Sequence, residues 1–197
     1  TGDFDKAAGH FLEALKKFQA LSDSLGMLNA YMNLGNISRS MKEVDKSMDY
    51  NMKAMSMFNK DIDVRTKCNL YNNIGIDYGL KGDLKSAVIY LQKALDGSDK
   101  QNYIDIYLYS LLNFGIVYQQ FNDLPKALSY FEEALGIARE KKMPEEEARL
   151  LQNIGGVYHK IDLNVALKKL NEALEISKRI DNKGLIDEIY QELIVVN

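Results

Sequence analysis

A short phrase that recurs every forty residues is the feature of this sequence that most restricts its fold. Each copy consists of an asparagine, a large apolar residue and a glycine, and three copies continue to a tyrosine three residues later. The glycines are Gly35, Gly75, Gly115 and Gly155, and the tyrosines are Tyr78, Tyr118 and Tyr158. A fixed period of this length is typical of repeat proteins, in which each unit stacks on its neighbour.

Each repeat is predicted to be a hairpin of two helices. Apolar residues are spaced by three and four positions, as in Leu70, Ile74 and Tyr78, which is the helical period. Gly82 can take a positive φ and end the first helix, and Asp83 can cap the second. The cap position recurs at Asp3, Glu43, Asp83, Asp123 and Asp162. We therefore predict an all-α chain of about ten helices, each of roughly 14 to 19 residues.

The first helix of each repeat is called A and the second B. A glycine inside a helix costs about 1 kcal/mol relative to alanine, so the repeated glycine predicts a close approach of helix B. Small residues on helix B are expected to face the glycines, and the tyrosines are expected to fill the wider part of the same interface. The helix B residues are Ala87, Ala127 and Ala166.

The repeats predict one array over residues 1–197 without an internal domain boundary. The array consists of a B helix at 1–22, full repeats at 23–60, 61–100, 101–141 and 142–181, and an unpaired terminal helix at 182–197. Because residue 1 falls in mid-repeat, we expect the chain to be part of a longer protein.

Two repeats depart from the pattern. In the second, Ser38, Ser47 and Asn51 replace the tyrosine, the alanine and a large apolar residue, so this hairpin is expected to pack most loosely. In the fifth, Gly155 and Ala166 are eleven residues apart instead of twelve, which predicts a tighter turn at 159–163.

Composition restricts the classes of partner. The 25 basic and 28 acidic residues are dispersed, and the net charge of -3 gives no electrostatic footprint for direct nucleic-acid binding. No apolar run approaches the length of a membrane span, so no membrane insertion is predicted. The single cysteine, Cys68, fits a reducing compartment, and we expect a cytoplasmic location.

The Leu-Gly-x-x-Tyr pattern of helix A and the alanines of helix B resemble the tetratricopeptide repeat over essentially the whole chain. The forty-residue period resembles the long variety found in kinesin light chains, in Leu-Gly-Asn-type polarity adaptors, and in bacterial peptide-sensing regulators and sensor kinases. The resemblance implies a right-handed superhelical solenoid of antiparallel helix pairs, with the A helices on its concave side.

The asparagine of the repeated phrase is the main candidate for ligand binding. It occurs at Asn33, Asn73, Asn113 and Asn153, although asparagine is unfavourable inside a helix. In some family members a similar ladder of asparagines grips the backbone of an extended peptide, and an amide can pair with both C=O and N–H. The alternative is that each asparagine bonds to the adjacent repeat and fixes the stacking.

Further groove positions lie four residues before and six residues after each asparagine. These candidate peptide-binding residues are Asn29, Asn69, Tyr109, Arg149, Arg39, Gln119 and His159. The trough becomes basic toward Arg149, so a ligand carboxylate is expected near Arg149 and His159.

No catalytic set is recognisable, so no enzyme activity, cofactor or metal site is predicted. His10 and His159 are far apart, and Cys68 has no histidine partner. The leading hypothesis is a protein–protein interaction module that binds an extended peptide or helical segment. One alternative is a sensory domain of a larger bacterial signalling protein, such as a sensor kinase or transcriptional regulator. The other is an assembly scaffold that forms homo-oligomers through its exposed ends.

Overall fold

The structure is a computed structural model of the chain, and it describes residues 2–98 and 102–196. These residues form ten helices and contain no strand. The helices are α1 Gly2–Ala20, α2 Ser24–Ser40, α3 Val44–Ser56, α4 Val64–Leu80, α5 Leu84–Gly97, α6 Ile104–Gln120, α7 Leu124–Glu140, α8 Pro144–Tyr158, α9 Leu163–Arg179 and α10 Lys183–Val196. The prediction of an all-α chain of antiparallel helix pairs is confirmed.

The chain divides into two compact units, Thr1–Ser110 and Leu111–Asn197, and the division falls within α6. In the first unit consecutive helices from α1 to α5 pack on one another, and in the second unit consecutive helices from α7 to α10 do. Helices α2, α4, α6, α8 and α10 correspond to the predicted A helices, and α1, α3, α5, α7 and α9 to the B helices.

Short turns with a left-handed residue join most of the helices. Gly82 has φ +81°, and Asp83 then accepts a 3.0 Å hydrogen bond from the Ser86 backbone N–H. Positive φ also occurs at Ser22, Lys42, Asn122, Lys142 and Asp181. The left-handed residue reverses the chain direction within three residues, so consecutive helices lie side by side.

The predicted caps are partly confirmed. Asp83, Asp123 and Asp162 accept hydrogen bonds from backbone N–H groups at the start of their helices. Glu43 stands at the N-cap of α3 without a side-chain cap bond, because its longer side chain is less suited to this bond than aspartate. Asp3 lies inside the first turn of α1 rather than ahead of it.

The turn between α8 and α9 differs from the other turns between an A helix and the B helix of the same repeat, as its missing residue predicts. Among the described residues, none from 159 to 162 has a positive φ. The chain instead tightens through hydrogen bonds from the Ile161 and Asp162 N–H groups to the Tyr158 carbonyl, at 2.8 and 2.7 Å.

The repeated glycines lie where helix B approaches helix A. A Cβ atom at Gly75 would lie 2.7 Å from Cγ of Leu91 and 3.3 Å from the carbonyl oxygen of Ala87. At Gly115 it would lie 2.3 Å from the Phe131 ring. The predicted close approach is confirmed, and the glycine mainly admits the large side chain four residues after the alanine.

Aromatic rings occupy the wider part of this interface. The rings of Tyr78 and Tyr90 stack with their centroids 5.5 Å apart. The rings of Tyr118 and Tyr130 stack at 5.6 Å with an interplanar angle of 6°. In both pairs the first tyrosine belongs to helix A and lies in the A–B interface as predicted, while its stacked partner on helix B was not predicted.

Candidate functional site

Two of the predicted asparagines bond to their own helix. The Asn33 amide nitrogen donates a 2.8 Å hydrogen bond to the Asn29 carbonyl, and Asn153 donates one of the same length to the Arg149 carbonyl. Asn33 is exposed and Asn153 half-buried. Each of these amides retains a second N–H and its oxygen for other partners.

Asn73, in the first unit, is different. It is only 5% exposed, yet within residues 2–98 and 102–196 its side-chain amide has no hydrogen-bond partner. Neither amide atom is completely enclosed. Asn73 therefore presents an unused donor and acceptor on helix A, both accessible from outside. Asn113 is 1% exposed and interacts within the protein.

The residues that precede two of these asparagines connect consecutive A helices. In the first unit the Asn72 amide donates a 3.0 Å hydrogen bond to Oγ of Ser110. In the second unit the Gln152 amide donates one of 3.1 Å to Oε1 of Glu192. The role of fixing the stacking, considered above for the asparagine ladder, is thus performed by its neighbours in these repeats.

The other predicted groove residues differ in exposure. In the first unit Asn29 is exposed, Asn69 half-buried and Tyr109 41% exposed. In the second, Gln119 is half-buried and His159 exposed. Arg149 is half-buried and forms an ion pair with Glu145 at 3.4 Å.

Arg39 is held by the neighbouring repeat. Its Nε atom donates a 2.8 Å hydrogen bond to Asp77, and a second guanidinium nitrogen lies 3.3 Å from the Asn73 carbonyl oxygen. The Arg39 side chain is 16% exposed. It therefore fixes the backbone that carries Asn73 and still reaches the surface beside it.

A buried polar cluster surrounds Asp77, which is fully buried on α4. Its carboxylate accepts hydrogen bonds from Oγ of Ser47 at 2.9 Å and from the Asn51 amide at 2.7 Å. Ser47 and Asn51 are also fully buried. The two polar residues of the second repeat therefore bond to the next repeat. They are buried, and the loosely packed hairpin predicted from the sequence is not found at this position.

The sequence reasoning missed Asp77 although one indication was present. The equivalent positions of the other repeats hold Ile37, Val117 and Val157. A charged residue at an apolar position of the repeat indicates a buried polar partner, and Ser47 and Asn51 are polar at apolar positions one repeat earlier.

A recess of about 300 Å³ lies in the second unit between α8 and α10. It is lined by Gly156, His159, Gln191, Glu192, Val195 and Val196. The Oε2 atom of Glu192 is buried and has no hydrogen-bond partner among the described residues. Burial raises the pKa of Glu192, the Gln152 amide opposes the increase, and Glu188 adds to it.

Little else among the described residues indicates chemistry. They contain no group of three or more histidine, cysteine, aspartate or glutamate side chains able to hold a metal ion. Cys68 is 2% exposed, and burial followed by the Asp63 charge raises its thiol pKa. His10 is exposed. None of the described helices combines the length and the apolar character needed to cross a membrane.

Family models of the tetratricopeptide repeat match residues 28–61, 66–140 and 107–179. These ranges contain the glycine interface, the Asp77 cluster and all of the predicted asparagines. No curated protein matches the chain.

Several solved structures share the fold. A Rap protein complexed with Competence and Sporulation Factor has a TM-score of 0.82 at 15% identity, over 100% of this chain and 60% of that one. The Rap conjugation gene regulator of plasmid pLS20, in complex with the Phr* peptide, has a TM-score of 0.69 at 21% identity, over 88% and 53%. A signal transduction ATPase with a tetratricopeptide repeat sensor, from Pyrococcus horikoshii, has a TM-score of 0.70 at 22% identity, over 86% and 26%.

Proposed function

The chain belongs to the tetratricopeptide repeat family and is a protein-interaction repeat domain, and we propose that it binds an extended peptide segment through the asparagines of its A helices. Such a ligand presents unpaired backbone C=O and N–H groups at regular intervals. An asparagine amide offers a donor for the C=O group and an acceptor for the N–H group, and it does not contact the ligand side chains. The affinity would therefore depend mainly on an extended conformation of the ligand.

The Asn73 amide is the observation that carries this proposal. It is nearly buried and unpartnered, while the adjacent Asn72 bonds to Ser110 and Arg39 bonds to the Asn73 carbonyl oxygen. The position of Asn73 is thus fixed by groups other than its own amide. A fixed, unpaired amide can bond to a ligand with little loss of conformational entropy.

Two similar structures support a peptide as the ligand class. One Rap structure contains the Competence and Sporulation Factor and another contains the Phr* peptide. Because both are less than 25% identical to this chain, they support the suitability of the fold and do not identify the peptide.

A second candidate function is that of a sensory domain within a larger signalling protein. The repeats of the Pyrococcus horikoshii ATPase are described as a sensor, and this chain spans 26% of that protein. The two functions share the binding step. They differ in whether peptide binding changes the activity of an attached domain, which an assay of the full-length protein with and without peptide distinguishes.

The proposal is tested by selecting binders from a library of short random peptides and measuring their affinity for two variants. Asn73→Ala removes the unpaired amide of an A helix. Asn171→Ala is the matched control, because Asn171 is exposed on the B helix α9 and bonds only to its own helix, through the Leu167 carbonyl at 2.8 Å.

We expect Asn73→Ala to weaken binding about tenfold, which is the cost of ~1.4 kcal/mol for a lost buried hydrogen bond. Asn171→Ala should bind as the unmodified protein does. Equal affinities for Asn73→Ala and the unmodified protein, or an equal loss in both variants, would rule out the proposed surface.

A further inference from the structure

Glu192 continues the row of asparagines with a carboxylate. It lies 39 residues after Asn153, and the turn between α8 and α9 is one residue shorter than the corresponding turns. With that deletion taken into account, Glu192 occupies on α10 the position of the asparagine on the preceding A helices. The deletion hides this correspondence from a search at the fixed forty-residue period.

The carboxylate of Glu192 is only partly satisfied by the protein. Oε1 accepts the hydrogen bond from Gln152, while Oε2 is buried without a donor. No described lysine or arginine forms an ion pair with Glu192. A buried carboxylate without a cation is unfavourable, and the raised pKa of Glu192 is the consequence.

The recess beside Glu192 exists because of a second glycine. Gly156 directly follows the glycine of the repeat, at a position where the preceding repeats hold Asn36, Ile76 and Ile116. A Cβ atom at Gly156 would meet only the Gln119 amide, at 3.7 Å. The missing side chain leaves open space on α8 opposite Val195 and Val196.

We propose that this recess binds the basic side chain, lysine or arginine, of a peptide bound on the A helices. The apolar walls fit the methylene stem of such a side chain, which commonly lies along apolar surface with its charge at a polar group. Glu192 lines the same recess and is the polar group for the charged end of that side chain. The cation would supply Oε2 with the charge-assisted hydrogen bond that the described residues do not provide.

The inference rests on the proposed function and adds to it the chemical class of one ligand residue. It reverses the expectation of a ligand carboxylate at this end of the trough. Arg149 is already paired with Glu145, whereas Glu192 has no cation.

The charges around the recess agree with a cationic ligand. Glu188, one turn before Glu192 on α10, adds negative charge. His159, which directly follows α8, is the basic residue in the lining of the recess. Lys178 of α9 lies over the Tyr190 ring, 5.9 Å from its centroid.

The test uses pooled short peptides that are random except at one defined position, occupied by lysine, norleucine or glutamate. Binding is measured for the unmodified protein, for Glu192→Gln, and for Asp187→Asn as a control that removes an exposed carboxylate outside the recess on the same helix. Norleucine keeps the apolar stem without the charge. Glutamine at 192 keeps an acceptor for Gln152, so the helix contact is retained.

We expect the unmodified protein to bind the lysine pool about tenfold more tightly than the norleucine pool at one position. Glu192→Gln should remove this preference without abolishing binding, and Asp187→Asn should keep it. Pools that bind without a preference for lysine, or a preference that persists in Glu192→Gln, would overturn this inference alone. Absence of binding by every pool to the unmodified protein would overturn the proposed function as well.

A stability measurement checks the unpaired carboxylate without any ligand. Because the folded state raises the pKa of Glu192, the unmodified protein loses stability as pH rises above the ordinary glutamate pKa. Glu192→Gln should therefore be the more stable protein near neutral pH, and the difference should vanish in acid. An equal unfolding midpoint of the two proteins near neutral pH would contradict the burial of an unpaired charge.

Discussion

Single glycines determine how closely the helices of a hairpin approach. At Gly115 the Phe131 ring occupies the space that a Cβ atom would need, and Phe131 is fully buried. The unfavourable helix propensity of the glycine is offset because a large apolar side chain is buried against its backbone. Not every helical glycine has this role, since a Cβ atom at Gly136 would have no atom within 4 Å.

Gly115→Ala is therefore expected to destabilise the protein while Gly136→Ala stabilises it. Alanine at 115 gains about 1 kcal/mol of helix propensity but forces the buried Phe131 ring to move, at a cost of ~1–3 kcal/mol. Alanine at 136, in the interior of α7, gains the propensity alone. Urea unfolding measures both changes. Midpoints that shift equally in the same direction would show that the Phe131 ring does not restrict the side chain at position 115.

The Asp77 cluster joins two consecutive hairpins by polar contacts. Asp77 belongs to α4, while its partners Ser47 and Asn51 belong to α3 and Arg39 to α2. The other repeats hold apolar side chains at the positions equivalent to Asp77, Ser47 and Asn51. The second and third repeats have thus exchanged an apolar contact for a set of hydrogen bonds to Asp77, in which Oδ1 of Asn51 is buried without a partner among the described residues. Such a set is costly to break at one member.

Asp77→Val should destabilise the protein by about 3–5 kcal/mol, because it leaves Arg39, Ser47 and Asn51 without their acceptor. Restoring the apolar pattern of the repeat, with Ser47→Ala and Asn51→Leu added, should recover most of this loss. The free energies of unfolding of the single and triple variants provide the measurement. A triple variant as unstable as Asp77→Val would show that the cluster is not a matched unit.

Over the whole molecule, the sequence predicted the features that follow from its periodicity, and it missed the side-chain contacts between successive repeats. The helices, the left-handed turn at Gly82 and the place of the helix A tyrosines follow from local spacing. The Asp77 cluster requires knowing which side chains of successive repeats meet, which one repeat alone does not show. Glu192 was missed because a single deleted residue shifts α10 out of the forty-residue register.

The same distinction applies to the candidate site. The asparagines were found because they repeat at a fixed period. Their exposed fractions differ because the residues around them are not the same in each repeat. Asn33 and Asn153 bond to their own helices, while the Asn73 amide has no partner among the described residues. Self-association through exposed ends stays a prediction, which sedimentation at several concentrations tests.

Side-chain amide signals in nuclear magnetic resonance spectra test peptide binding by the A helices most directly. A peptide selected from the random library is added to ¹⁵N-labelled protein until binding is saturated. We predict that the amide signals of Asn33, Asn73, Asn113 and Asn153 shift, with the largest change at Asn73, and that the signal of Asn171 on α9 does not move. A saturated complex in which the Asn73 signal is unchanged, or in which Asn171 shifts as much, would contradict binding at these amides.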